Sequence, residues 1–165
     1  MTLYDFWAWW PAAEPVQARA EMADARELAA IHGASFHRGW DVHEFEAMLA
    51  DKAILAHVIR RRPSAPVGGF VLSRVVAGEA EILTIAVSPR LRGRGFAGRL
   101  LADHVKDLMR AGVGPLFLEV EAENEPALKL YQRHGFAVIG RRKGYYKTAS
   151  GTADAVMMRK LLPPI

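Results

Sequence analysis

The fold is decided by Ile82-Leu83-Thr84-Ile85-Ala86-Val87-Ser88-Pro89-Arg90-Leu91-Arg92-Gly93-Arg94-Gly95-Phe96-Ala97. Its first six residues, Ile82 to Val87, form an apolar, β-branched run, the composition of a strand. Ser88-Pro89 stops that strand, because proline has no N–H to give to a ladder. Arg90 to Ala97 then reads as a basic glycine loop. Bare backbone at Gly93 and Gly95, with the small Ala97, lets amide N–H groups approach a ligand closely. The helix predicted from this loop to about Ala111 adds unpaired N–H groups and the positive end of its dipole. Arg90, Arg92 and Arg94 add charge and forked donors. The sum is a cradle for a pyrophosphate.

Downstream, Gly112 and Gly114 end the helix, and Leu116 to Val120 is a second apolar strand carrying one carboxylate, Glu119. Two architectures place such a cradle after a strand. Gly93-Arg94-Gly95-Phe96-Ala97-Gly98 fits G-x-G-x-x-G, the dinucleotide fingerprint, with Glu119 about twenty residues on. In that unit the strand runs almost directly into the first glycine. Here Ser88 to Arg92 intervene, and too little chain follows for a second mononucleotide half, so the dinucleotide reading is rejected.

The same loop is similar to the coenzyme A loop of the GNAT N-acetyltransferases, R/Q-x-x-G-x-G/A, read here as Arg92, Gly95 and Ala97. The resemblance continues through Leu118-Glu119-Val120, Asn124, Ala127, Leu130-Tyr131 and Gly135-Phe136. That series, with Arg141, Tyr145-Tyr146, Asp154-Ala155 and Met158, resembles the ribosomal-protein alanine N-acetyltransferases (RimI-like). It covers Gly78 to Leu161 well and Val16 to Ala77 more weakly. It implies an α/β fold with a mixed, mostly antiparallel central sheet of about seven strands and about four flanking helices, the sheet splayed where the coenzyme enters.

Composition agrees with a protein of this kind. The chain has 165 residues and reads as one domain over 16–162 after a tryptophan-rich N-terminal extension, 1–15. The extension gathers Trp7, Trp9 and Trp10 with Tyr4 and Phe6, and lacks the basic start of a signal peptide. No apolar run reaches the ~18 residues of a membrane span. Cysteine is absent, which removes disulfides, thiolate metal sites and a cysteine nucleophile; the cytoplasm is the expected compartment. The formal charge of +4 is explained by a polyphosphate ligand. No basic face interleaved with aromatics appears, so direct nucleic-acid binding is not expected.

In chain order, Val16 to Ala20 reads as a short strand. Asp24 is expected to cap a helix carrying Leu28, Ile31 and Phe36. Gly39-Trp40 is a turn, and Asp41 caps a second helix with Phe45, Met48 and Leu49 on one face. Ala53 to Ile59 and Val67 to Val76 are strands, with a bulge expected at Gly68-Gly69. Short links make these two and the Ile82 strand an antiparallel meander. Gly135 follows the last helix. Phe136 to Ile139 starts a strand, Gly140 to Tyr146 is basic and aromatic, and Ala153 to Leu161 returns.

Acyl transfer to an amine needs a base, a close acyl carbon, a held carbonyl oxygen and a proton for the leaving thiolate. Glu119 is the candidate base: strand alternation sets it opposite Leu118 and Val120, and burial would raise its pKa. The competing reading is a solvated edge-strand carboxylate, and Glu81 is the rival base. Tyr131 shares a helical face with Ala127, Leu130 and His134, as a core tyrosine would; the family resemblance assigns it the acid role. From Glu119 to Asn124 an extended chain covers at most about 16 Å, and from Asn124 to Tyr131 a helix returns about 10 Å, so the two can meet.

The resemblance further implies acetyl-CoA as co-substrate. Arg92, Gly93, Arg94, Gly95, Phe96 and Ala97 would hold its pyrophosphate, and the backbone of Ile85, Ala86 and Val87 would pair with its pantetheine arm. Asn124 would cap the helix and bond that arm. Phe36, His37 and Trp40 border the acceptor groove in relatives, against the simpler reading of Phe36 and Trp40 as core aromatics. Arg141, Tyr145 and Tyr146 would line the groove, against plain edge-strand packing. The six histidines show no ligand spacing, so no metal is predicted. Serine and threonine lack a His–Asp partner, so transfer is expected to be direct. The expected acceptor is a peptide or protein N-terminus, the resemblance naming an alanine terminus of a small-subunit ribosomal protein. A small amine, a lysine side chain, or a non-catalytic acyl-CoA sensor remain as alternatives.

Overall fold

The computed structural model describes residues 14–165; of the tryptophan-rich extension, 1–13 lie outside the described residues. The elements are β1 (Val16–Arg19), α1 (Ala25–Gly33), α2 (Val42–Ala50), β2 (Ile54–Arg60), β3 (Gly69–Val76), β4 (Glu79–Val87), α3 (Phe96–Arg110), β5 (Pro115–Glu121), α4 (Glu125–Arg133), β6 (Ala137–Thr148) and β7 (Gly151–Leu161). The seven strands form one sheet in the order β1-β2-β3-β4-β5-β7-β6. Every neighbouring pair is antiparallel except β4 and β5, which are parallel and joined by the α3 crossover. No helix among the described residues is long and apolar enough to cross a membrane.

Two apolar cores lie on opposite faces of the sheet. On one, Leu100, Leu101, Val105 and Leu108 of α3 pack with Leu116, Leu118 and Val120 of β5. On the other, Leu28 of α1 and Phe45 of α2 pack on Phe70 and Leu72 of β3. Burying each such side chain contributes about 2 kcal/mol. Asp41 caps α2 as expected, accepting from the Glu44 N–H at 2.9 Å while Glu44 accepts from the Asp41 N–H at 2.8 Å. Asp24 does not cap α1. Its carboxylate accepts from the Glu21 N–H at 2.8 Å and from Arg60 at 2.6 Å, closing a 3-10 turn ahead of the helix. Phe36 falls beyond α1, and its ring is exposed.

The expected bulge lies elsewhere. Leu72 pairs with Thr84 and Ser73 with Ile82, which leaves Leu83 as the extra residue on β4. It reverses the strand's parity. Ala80 and Ile82, before it, belong to the core under α3; Ala86, after it, belongs to the core under α1 and α2. Gly68 and Gly69 serve close approach instead: a Cβ on Gly68 would stand 2.6 Å from the Leu91 side chain, and one on Gly69 3.0 Å from the Ala86 carbonyl oxygen. The basic aromatic segment Gly140 to Tyr146 is part of β6, interrupted by its own register break. Arg142 pairs with Ala155 and Tyr146 with Ala153, so Lys143-Gly144-Tyr145 bulge opposite a single residue, Asp154. The Asp154 carboxylate accepts from the Gly144 N–H at 3.0 Å and from Arg141 at 3.3 Å.

A buried polar chain, invisible to pattern reading, crosses from β3 to the surface. Ser73 Oγ lies 2.7 Å from His104 Nε2, His104 Nδ1 lies 2.7 Å from His57 Nδ1, and His57 Nε2 lies 2.8 Å from Asp107. The chemistry assigns each proton. The Asp107 carboxylate only accepts, so His57 Nε2 donates. Burial keeps both imidazoles neutral, so His57 Nδ1 accepts from His104 and His104 Nε2 accepts from Ser73. Burial, then the neighbouring His57, lowers His104 to about 3, and burial, then Arg19, lowers His57. Burial also lowers His32 to about 4; its Nδ1 accepts from the Trp40 N–H at 3.0 Å.

These groups bind fewer protons folded than unfolded, so stability falls as pH drops below the unfolded histidine value of about 6.5. At pH 5 the expected loss is about 2 kcal/mol for each of His32 and His104. Urea denaturation at pH 7 and pH 5 measures it; a constant midpoint would contradict the assignment.

Candidate active site

The parallel pairing of β4 and β5 is short. It holds only at Ala80 with Leu116, Glu81 with Phe117 and Ile82 with Leu118. Beyond these rungs, from the Leu83 bulge onward, β4 continues to pair with β3 as far as Val87, while β5 continues with β7 as far as Glu121. The β5-facing edge of Ile85, Ala86 and Val87 is therefore without a strand partner. A free parallel edge offers alternate N–H and C=O groups to an extended ligand.

The cradle lies where β4 gives way to α3. Gly93 and Gly95 have φ of +73° and +79°, and a Cβ on either would meet nothing within 4 Å, so the bend is open rather than filled. Gly95 is the N-cap position of α3 and offers no side chain there. Arg94 is exposed, Phe96 is buried under the first turn, and Ala97 is partly buried. Arg92 does more than lend charge. Its Nε donates to the Val87 carbonyl at 3.2 Å and its terminal nitrogen to Ser35 Oγ at 3.0 Å, tying the strand end to the segment after α1.

Two walls flank the gap. Glu119 lies on the β5 face away from α3, as alternation requires, and with Glu81 it lines a cleft of about 450 Å³ that also meets Arg74, Phe117 and Met157. The sequence expects Glu119 to be an isolated carboxylate in an apolar strand. Instead its Oε1 lies 3.3 Å from Arg142. Glu81 is the more exposed of the two. Tyr131 comes from the opposite face, buried in the α3 core with its ring 5.7 Å from that of Phe136. It is a core tyrosine, yet its hydroxyl has no hydrogen-bond partner among the described residues. Burial, and then Tyr146, pushes the phenol above its ordinary range. Burial first, then Glu119, raises Tyr146. Asn124 caps α4, accepting from the Ala127 N–H at 3.3 Å.

The remaining predicted residues do not line the cleft. Trp40 is half-buried, stacked at 4.5 Å on His32, while Phe36 leans on His32 at 4.4 Å and keeps an exposed edge. His37 is exposed. Tyr145 and Tyr146 meet edge to face at 5.2 Å, and Arg141 is held by Asp154. Pattern reading missed Arg142, which lies over the Tyr145 ring, and took Asp154 only as part of the family series, not as the acceptor for the Gly144 N–H. The register break that exposes their role has no signature in the sequence beyond Gly144.

The model of the acetyltransferase (GNAT) family matches residues 17–136. The chain belongs to the GNAT acetyltransferase family. Within that family it is 34% identical over 154 residues to the N-alpha-acetyltransferase RimI of Mycobacterium tuberculosis, covering 89% of this chain and 93% of that one. It is 43% identical over 90 residues to the ribosomal protein bS18-alanine N-acetyltransferase of Salmonella typhimurium, a match spanning 54% of this chain and 60% of the relative. The solved ribosomal-protein-S18-alanine N-acetyltransferase of Escherichia coli superposes with a TM-score of 0.85 at 26% identity, over 92% of this chain and 96% of that one. The GNAT fold expected from the sequence is the fold observed.

Arg92→Ala removes two hydrogen bonds that tether the bend, and about 1 kcal/mol of stability is expected to go with them. Thermal denaturation reads this; an unchanged midpoint would mean the tether contributes nothing.

Proposed function

We propose that this chain is an acetyl-CoA-dependent N-acetyltransferase of protein N-terminal α-amines, and that an alanine terminus of ribosomal protein bS18, in the cytoplasm, is its acceptor. One observation supports the reading: the β4–β5 pairing ends at Ile82 and Leu118, which leaves the Ile85–Val87 edge unpaired beside the open Gly93–Gly95 bend. The likeness to RimI proteins favours an α-amine over a lysine side chain or a small amine, and the Glu119–Tyr131 pair favours an enzyme over an acyl-CoA sensor.

The residues present fit the coenzyme. The Gly93–Ala97 bend is open for a pyrophosphate at the α3 N-terminus, and the edge from Ile85 to Val87 suits the amides of a pantetheine arm. Acetyl-CoA, when bound, supplies the thioester whose carbon–sulfur bond breaks as the new carbon–nitrogen bond forms. Glu119 takes the proton the amine loses, directly or through one water. Asn124 steadies the start of α4, which carries Tyr131. Tyr131 gives its hydroxyl proton to the departing sulfur. A free thiol titrates near 8.5, below a buried phenol, but a thiolate left in the same dry gap is raised as well, which narrows the difference. Contrary to expectation one serine, Ser73, has histidine and aspartate partners, but it is fully buried and does not line the cleft; with no cysteine in the chain, transfer is direct.

Tyr131→Phe is expected to lower kcat about 100-fold with coenzyme affinity within a few-fold of the parent. Full turnover would remove Tyr131 from the acid role. Because burial keeps the phenol protonated, kcat should not decline on the basic side below about pH 10. Glu119→Gln should flatten the acidic limb of the rate profile; if Glu81→Gln does so instead, Glu81 is the base. Mass spectrometry of peptides bearing either a free N-terminus or a lysine, incubated with acetyl-CoA, decides the acceptor class. Acetylation of lysine alone would overturn the proposal.

A further inference from the structure

Arg142 is the residue at this site that the reaction as described leaves unused. It sits on β6, two strands away from β5, and reaches back so that its terminal nitrogen lies 3.3 Å from Glu119 Oε1. On its other side the guanidinium carbon lies 5.2 Å from the centroid of the Tyr145 ring. The guanidinium is therefore held between the carboxylate and the face of an aromatic ring. The arginine side chain is 50% exposed and Glu119 is 18% exposed. An ion pair this open contributes little to stability, on the order of 0 to 1 kcal/mol. Stability does not account for the contact, and its position does: it fills the place beside Glu119 that a positively charged amine would take.

The rest of the cleft sharpens the point. Arg74 comes from β3, Glu79 and Glu81 from β4, and Glu119 from β5. β6 contributes Ile139 and Arg142, while β7 presents only Met157 and Met158 there. Glu121, next along β5, acts on Tyr146. Without Arg142 the carboxylates would outnumber the cations three to one among the lining residues, and any ammonium would be drawn in. With Arg142 in place, the position against Glu119 repels a cation and accepts a neutral amine.

We propose that Arg142 is a specificity-determining residue that selects the acceptor by its protonation state, admitting weakly basic α-amines and turning away lysine side chains and other strongly basic amines. The inference rests on the N-terminal reading above and on Glu119 as the group that receives the amine. The discrimination available is large. At pH 7 roughly 10% of an α-amine is neutral, against roughly 0.04% of a lysine side chain. A site closed to the charged form inherits that ratio of about 250-fold as selectivity.

The test uses two lysine-free or lysine-bearing versions of one peptide: one with a free alanine terminus and no lysine, the other N-acetylated with a single lysine. The quantity read is the ratio of kcat/KM for lysine to that for the α-amine. In Arg142→Gln and Arg142→Met this ratio at pH 7 is expected to rise about tenfold or more, since a like charge no longer faces the ammonium. Arg142→Lys restores a cation and should keep the ratio near the parent value. The gap between parent and neutral variants should also close toward pH 10, where much of the lysine is neutral in solution. A merely structural arginine would lower both rates together and leave the ratio and its pH dependence unchanged; that result, or an equal change in Arg142→Lys, overturns the inference. If the parent protein leaves the free alanine terminus unmodified, the N-terminal reading itself fails, and this inference falls with it.

Discussion

Everything at the site depends on two parallel strands that stop pairing. The β4–β5 ladder lasts three rungs, and the extra residue at Leu83 marks where it ends. A bulge strengthens local twist and breaks the ladder, and here each strand keeps its outer neighbour, β3 or β7, so the sheet survives the opening. A continuous ladder would leave no unpaired edge at Ile85 to Val87. The glycine bend then needs only to be open, which it is. A backbone irregularity and two residues without side chains create the opening, and Glu119 and Tyr131 are held by ordinary strand and helix packing.

Much of this was legible in the chain. The apolar runs at Ile82 to Val87 and Leu116 to Val120 are strands because few other elements bury such runs. Asp41 and Asn124 cap helices because their short carboxylate and amide reach the third N–H. The bend at Arg92 to Ala97 and the spaced series through Phe136 pointed to the GNAT enzymes, and the family match agrees. Other features were out of reach for physical reasons. Asp24 looked like a cap, but its better partner, Arg60, lies on another strand. Gly68-Gly69 looked like a bulge, yet glycine marks close approach as readily as irregularity, and Leu91 is what approaches. Leu83 carries no mark at all, since any residue can be the extra one. The pairs Arg142–Glu119 and His57–His104 join residues far apart in sequence, and only the register brings them together.

The aromatic turn between α1 and α2 has a similar logic. His32 is buried and neutral, and it receives the Trp40 N–H while Trp40 and Phe36 lie against its ring. The turn is thus fixed by a single imidazole on α1, and Arg92 grips Ser35 in the same segment from the coenzyme side. The α1–α2 turn and the glycine bend share one fastening.

The division into two cores carries a consequence for how such a protein can diversify. The bend and α3 lean on one face of the sheet, whereas α1, α2 and the Glu119 cleft lie on the other, and the parity change at Leu83 lets one strand serve both. Apart from the tie between Arg92 and Ser35, the packing beneath α1 and α2 can drift while the α3 layer stays intact. The sheet works as a partition, and each layer can be remodelled largely on its own terms.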